Sequence, residues 1–221
     1  MDRRYFLVAG AAAIAAGGAY FWPANSTTSL PGLGAANAQE AGEVDTSIVA
    51  EMSLGDPNAP VTVVEYASYT CPHCRSFHEN TFKDIKAAYI DTGKVHFIYR
   101  EVYFDRFGLW AAMVARCGGP ERYFALADMI YAQQSDWARG DTPTVIVDKL
   151  KKIGLTAGLT PDELDACMQN EDMARAMVAV FQENSERDSI RSTPSFLING
   201  DLVAGDKSFE EFSALLDEKL G

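Results

Sequence analysis

Residues 61–77 read Val61-Thr62-Val63-Val64-Glu65-Tyr66-Ala67-Ser68-Tyr69-Thr70-Cys71-Pro72-His73-Cys74-Arg75-Ser76-Phe77. Val61 to Ala67 is mostly apolar and rich in β-branched and aromatic residues, as a buried strand requires. Cys71 and Cys74 follow at once. Phe77, Phe82, Ile85 and Tyr89 then recur at roughly helical spacing, so the two cysteines sit where a strand ends and a helix begins. Gly93 ends the helix, and Val95 to Arg100 has strand character again. A strand–helix–strand unit of this kind joins parallel strands by a right-handed crossover.

The chemistry of that stretch turns on the thiolate, which is the nucleophile in disulfide exchange. A helix start offers unpaired backbone N–H groups and a positive dipole end beside Cys71. Pro72 has no N–H to lose there and presets the first helical turn. His73, between the cysteines, can donate a hydrogen bond or carry charge. Cys74 lies within reach of an intramolecular disulfide. A stapling disulfide is a poor alternative, since so small a loop contributes little chain entropy. Metal binding is another: Cys71, His73, Cys74 and His78 are possible ligands. However, no second Cys-x-x-Cys or His pair completes a structural zinc set. We expect no metal and no cofactor.

Further along, Trp110 to Cys117 reads as a helix stopped by Gly118-Gly119. Pro120 opens a helix to about Gln134, and Thr142-Pro143 opens another through Val145 to Ile153. Thr160-Pro161-Asp162-Glu163 is a capping box, and Glu171 to about Ile190 is a long helical stretch. Strand signals return at Ser195 to Ile198. Asn199-Gly200 is a hairpin turn, Leu202 to Ala204 the return strand, and Ser208-Phe209-Glu210-Glu211 a second capping box before a final helix. The fold class is therefore α/β with a helical insertion. Phe77, Phe82, Tyr89, Trp110, Trp137 and His96 read as packing residues.

Asp2-Arg3-Arg4-Tyr5-Phe6-Leu7 precedes an apolar Ala/Gly-rich run, and no charged residue lies between Arg4 and Glu40. Ala36-Asn37-Ala38 suits signal peptidase, so residues 1–38 read as an export signal of twin-arginine or Sec type. An uncleaved anchor is the alternative. The expected divisions are a signal at 1–38, a flexible lead-in at 39–52, a first fold segment at 53–106, the helical insertion at 107–190 and a second fold segment at 191–221. A formal net charge of −12 over 221 residues argues against nucleic acid as a partner, because phosphates repel it. An exported chain matures where thiols oxidise. Cys117 and Cys167, both at expected helix ends, are thus expected to form a structural disulfide. The competing reading makes them separate small buried hydrophobes.

Cys71-Pro72-His73-Cys74 after a strand, a helical insertion, and Thr193-Pro194 before a strand together resemble the DsbA-like thiol:disulfide oxidoreductases, over about residues 53–221. The resemblance implies a thioredoxin-like fold carrying a helical insertion domain. It also implies that Cys71 is the exposed nucleophile, Cys74 its buried partner and His73 a residue that lowers the nucleophile's pKa. Pro194 would be a cis-proline facing the site, and Thr193 would offer its backbone to an extended substrate. Glu65 falls where the family's founding member has a buried glutamate that helps move protons at the cysteine pair. The implied setting is the periplasm. The implied partners are reduced or unfolded exported proteins and a membrane thiol oxidase such as DsbB, which reoxidises the pair. The founding member has valine before the cis-proline. Threonine there also occurs in isomerases and reductases of the wider superfamily, so electron flow in either direction stays open. A binder of extended chains without turnover, or a metal-holding module, stays open too.

Overall fold

A computed structural model describes residues 44–140 and 142–221, so the export signal expected at 1–38 lies outside the described residues. β2 (Val61–Ala67) is the centre of the sheet, and Val61, Val63, Tyr66 and Ala67 are wholly buried. It pairs in parallel with β3 (Val95–Glu101), Val63 opposite Phe97, and antiparallel with β4 (Ser195–Ile198), Val64 opposite Leu197. β1 (Met52–Leu54) runs antiparallel along the outer edge of β3, and β5 (Asp201–Ala204) along β4. The strand order is β1-β3-β2-β4-β5. A strand covered on both faces has no solvated side, which is why Val61 to Ala67 lacks a polar alternation.

Lead-in residues that were expected to be flexible are built structure where they are described. Thr46–Ile48 form a 3₁₀ turn whose cap, Asp45, accepts from the Ser47 amide. Met52 is buried as the first residue of β1. The turn is seated because residues after it pair with β3, Met52 lying opposite Tyr99.

The helix after the cysteines is also more broken than its spacing suggests. α1 (Pro72–Asn80) and α2 (Phe82–Ile85) meet at Thr81, and a wider π-type turn spans Lys86–Ile90. At the break the Thr81 hydroxyl donates to the Lys207 carbonyl at 2.8 Å, a bond that ties the helix to the loop before α9 (Phe209–Leu220). Phe77 sits on the buried face of α1 with its ring centroid 4.7 Å from Phe196 on β4 and 5.4 Å from Phe212 on α9. Three elements from opposite ends of the chain thus share one aromatic contact, and such pairs add to the area each ring buries.

Between β3 and β4 lie α3 (Arg106–Cys117), α4 (Pro120–Ala132), α5 (Gln134–Trp137), α6 (Pro143–Thr156), α7 (Pro161–Met168) and α8 (Glu171–Arg187). Proline opens α4, α6 and α7, where its missing N–H costs nothing. The one-turn α5 had no sequence signal. It is held by Trp137, which is wholly buried and donates from Nε1 to the Ile130 carbonyl at 2.8 Å. Cys117 and Cys167 are joined by a disulfide, with Cα atoms 5.8 Å apart, that links the end of α3 to α7. Asn199 and Gly200 both have positive φ, 48° and 91°, in the tight β4–β5 turn. Asn199 tolerates this conformation and its side chain also accepts from the Thr62 amide at 2.8 Å, pinning the hairpin to β2. Among the described residues no helix is long and apolar enough to cross a membrane.

Candidate active site

The end of β2 delivers the chain to a turn, in which the Cys71 amide donates to the Ser68 carbonyl at 3.0 Å. Cys71 then caps α1 with extended backbone (φ −83°, ψ 120°), and Pro72 is the first helical residue. This turn is clamped from α3. Asp105 caps that helix by accepting from the Phe107 and Gly108 amides, and its second oxygen accepts from the Thr70 hydroxyl at 3.0 Å. Gly108 lets the two segments come this close, because a Cβ there would stand 3.3 Å from the Ser68 hydroxyl.

Both active-site cysteines are free thiols, and their environments differ. Cys71 keeps 9% of its surface, whereas Cys74 keeps none. The Cys71 Sγ lies 3.5 Å from the Thr193 carbonyl oxygen. A hydrogen bond from the Cys74 thiol is the main cause that draws the Cys71 pKa down to about 5. Burial opposes it, and the Thr193 side chain and the amides of Cys74 and His73 add to it. Burial pushes Cys74 the other way, well above the ordinary thiol range. The bond it gives to Cys71 and the nearby negative charges of Cys71 and Glu65 reinforce that shift. The pair is therefore polarised into an anionic outer sulfur and a protonated inner one.

His73 is exposed, and among the described residues its ring makes no hydrogen bond. What it gives Cys71 is its backbone amide, as expected of any residue at the second helical position. The ring-mediated hydrogen bond considered from the sequence is absent there. Thr193-Pro194 is cis, and the Pro194 carbonyl accepts from the Gly205 amide at 2.8 Å, which sets the segment against β5's end.

Glu65 is wholly buried rather than turned to solvent at a sheet edge. Both its carboxyl oxygens lie 3.0–3.2 Å from Nε2 of His78, itself buried, four residues after Cys74 on α1. The His78 ring stacks on Tyr131 (centroids 4.4 Å apart, planes at 19°), and its Nδ1 is buried without a partner. Tyr131 and Tyr99 share a hydrogen bond of 2.6 Å. On the other side Tyr69 donates to Tyr123, Tyr123 to Glu101, and Arg116 clasps Glu101 with two bonds of 2.7 and 2.8 Å. Burial holds these phenols well above their ordinary pKa, so they act as neutral hydrogen-bond donors.

Sequence reasoning named His78 only as a possible metal ligand. It faces Glu65, away from the exposed His73, so the four ligand candidates do not converge. Among the described residues no cluster of histidine, cysteine, aspartate and glutamate suits a metal ion. The i, i+4 spacing of Cys74 and His78 put both on one helix face and was the available signal. Gln134 was missed altogether. It is buried on α5, and its Nε2 donates to the carbonyls of Tyr69 at 2.8 Å and Cys71 at 2.9 Å.

A strand running into a helix capped by one low-pKa cysteine, with a sealed second cysteine one turn on and a cis-proline opposite, defines a thioredoxin-fold dithiol protein. A family model described as thioredoxin matches residues 47–218. A Rickettsia conorii protein provisionally named a protein-disulfide oxidoreductase is 34% identical over 171 residues, 77% of this chain and 60% of that protein. The crystal structure of Wolbachia pipientis alpha-DsbA1 superposes with a TM-score of 0.71 at 29% identity, covering 80% of this chain and 95% of that one. That of a protein-disulfide isomerase from Novosphingobium aromaticivorans gives 0.68 at 26% identity, covering 75% and 97%. The chain belongs to the thioredoxin family, among its DsbA-like members. It spans 60–64% of the length of the first curated relatives it matches.

Proposed function

We propose that the chain oxidises thiols of exported proteins through the Cys71–Cys74 pair. The observation that carries this is the asymmetry of the two sulfurs, one held as thiolate at the start of α1 and one sealed as thiol beneath it. Stabilising the thiolate stabilises the reduced protein, so the disulfide form becomes the stronger oxidant.

In the oxidised protein a substrate thiolate attacks Cys71 Sγ. The Cys71–Cys74 bond breaks, and Cys74 leaves, taking a proton from the buried Glu65–His78 pair. A second substrate thiolate then attacks the substrate's own sulfur in the mixed disulfide. Cys71 leaves as the stable thiolate, and two electrons have passed from the substrate dithiol to the pair. Thr193 offers backbone groups to an extended substrate segment. A recess lined by Val102, Phe104, Phe181, Ile190 and Thr193 opens beside it and would receive an apolar side chain, Phe104 being 61% exposed. A membrane thiol oxidase such as DsbB would accept the two electrons and restore the disulfide. The chain would then work in the periplasm, delivered there by the export signal read from residues 1–38.

A second reading is reduction or isomerisation on the same site. The threonine before the cis-proline favours it, as does the isomerase name of the Novosphingobium neighbour. Turnover separates the two. With glutathione disulfide as oxidant, a reduced, unfolded multi-disulfide protein should regain its disulfides faster with the enzyme than without. Catalysed insulin reduction by a dithiol with no gain in oxidative refolding would overturn the oxidase reading.

A further inference from the structure

Pro72 leaves a vacancy one turn upstream. In the turn that leads into α1, the Tyr69 carbonyl would ordinarily accept from the amide three residues on, but residue 72 is a proline and has none. A buried carbonyl without a donor is costly, so a donor must come from elsewhere. It comes from Gln134, 65 residues away in sequence, on the helical insertion. The same Nε2 uses its second hydrogen on the Cys71 carbonyl, which also receives the Arg75 amide at 3.2 Å. Because both contacted atoms are carbonyl oxygens, only the amide nitrogen can face them, which fixes the side chain's orientation.

We propose that Gln134 is a positioning residue for the nucleophile: by bridging the Tyr69 and Cys71 carbonyls it seats the Cys71 sulfur at the start of α1 and makes the oxidising strength of the pair depend on how the insertion is docked. Two independent features anchor the bridge. Trp137, one turn on, is wholly buried, and Lys149 on α6 donates to the Asp136 carbonyl at 2.7 Å, so α5 cannot drift from its place. The electrostatic sense is also right. The positive end of the amide dipole points at the backbone of Cys71, beside the sulfur that must carry negative charge. Glu at the same position keeps the shape of Gln but presents oxygens to oxygens and adds a negative charge.

The inference rests on the redox reading of Cys71 and Cys74, and the experiment keeps the two apart. Gln134→Leu and Gln134→Glu are compared with the parent by thiolate ultraviolet absorbance against pH and by equilibrium with glutathione, with a thermal melt beside each. The Leu variant should raise the Cys71 titration midpoint by roughly half a unit to one unit, a three- to tenfold weaker thiolate. It should move the glutathione equilibrium toward the disulfide by the same factor. The Glu variant should shift both further. Folded variants that melt lower yet titrate and equilibrate like the parent would make Gln134 a structural residue only and overturn the proposal. If Leu at this place prevents folding, the isosteric Glu variant decides alone. A parent protein whose cysteine pair fails to exchange with glutathione would sink the redox reading instead, while the thiolate titration would still judge Gln134.

Discussion

Lowering the pH should destabilise the reduced protein and leave the oxidised protein comparatively unaffected. The Cys71 thiol sits at about 5 in the folded reduced chain, against roughly 8.5 in an unfolded one. A group whose pKa folding depresses adds stability that is complete above the unfolded value and vanishes as pH falls through the folded value. Between pH 7 and pH 5 the unfolded reduced chain therefore holds a proton that the folded chain has released. Two units at full weight amount to at most ~2.7 kcal/mol. Residual solvent at Cys71 screens the charge, and about half of that, ~1–1.5 kcal/mol, is the expected effect. Cys74, shifted upward by burial, weighs against the fold only above its ordinary range and stays silent in this window. All other ionisable groups are common to both redox forms and cancel in the difference. Denaturant unfolding of the reduced and oxidised protein at pH 5, 6 and 7 reads the effect as the reduced-minus-oxidised stability. A difference flat across that range would refute the account of Cys71 as a thiolate held chiefly by the Cys74 thiol, with help from Thr193 and the first amides of α1.

Cys74→Ser should accumulate mixed disulfides with reduced substrates on non-reducing gels, and Cys71→Ser none; equal adducts in both would assign the attacking sulfur wrongly. Replacing Cys117 and Cys167 together by alanine should lower stability by about 4 kcal/mol in the chain-entropy treatment of a 50-residue loop, without changing the rate of substrate oxidation. A variant with unchanged unfolding midpoint would show that this disulfide does not constrain the unfolded chain. Glu65→Gln should slow formation of the mixed disulfide by about a hundredfold at neutral pH, because the leaving Cys74 loses the carboxyl half of the Glu65–His78 pair whose charge it feels. Rapid-quench kinetics at unchanged Cys71 pKa would check it, and an unaltered rate would remove Glu65 from the reaction.

The elements nearest the cysteines were legible because each carries its own local signal. β2 is a mostly apolar, β-branched run, β4 and β5 flank an Asn-Gly turn, and Thr160 and Ser208 form capping boxes that the structure contains as such. Breaks inside helices were not legible. Thr81 interrupts the first helix through a bond to Lys207, 126 residues distant, and nothing near residue 81 announces that partner. Met52, which opens the edge strand β1, fell at the end of the expected flexible lead-in because three residues with one buried side chain give no periodicity. The same limit hid much of the site. Cys71, Cys74, Glu65, Thr193 and Pro194 could be named from a motif. His78 could be placed on the Cys74 face of its helix but not against Glu65. Gln134 serves carbonyls, and a carbonyl that lacks a donor leaves no mark in a side-chain pattern; only the absent N–H of Pro72 hints at it.

Polarisation of the pair by its surroundings is the central claim, and the reduction potential of Cys71–Cys74 against glutathione tests it most directly. A thiolate held near pH 5 predicts an oxidising couple, less negative than about −180 mV at neutral pH. A value at or below about −250 mV, where thioredoxin-like reductants lie, would contradict it.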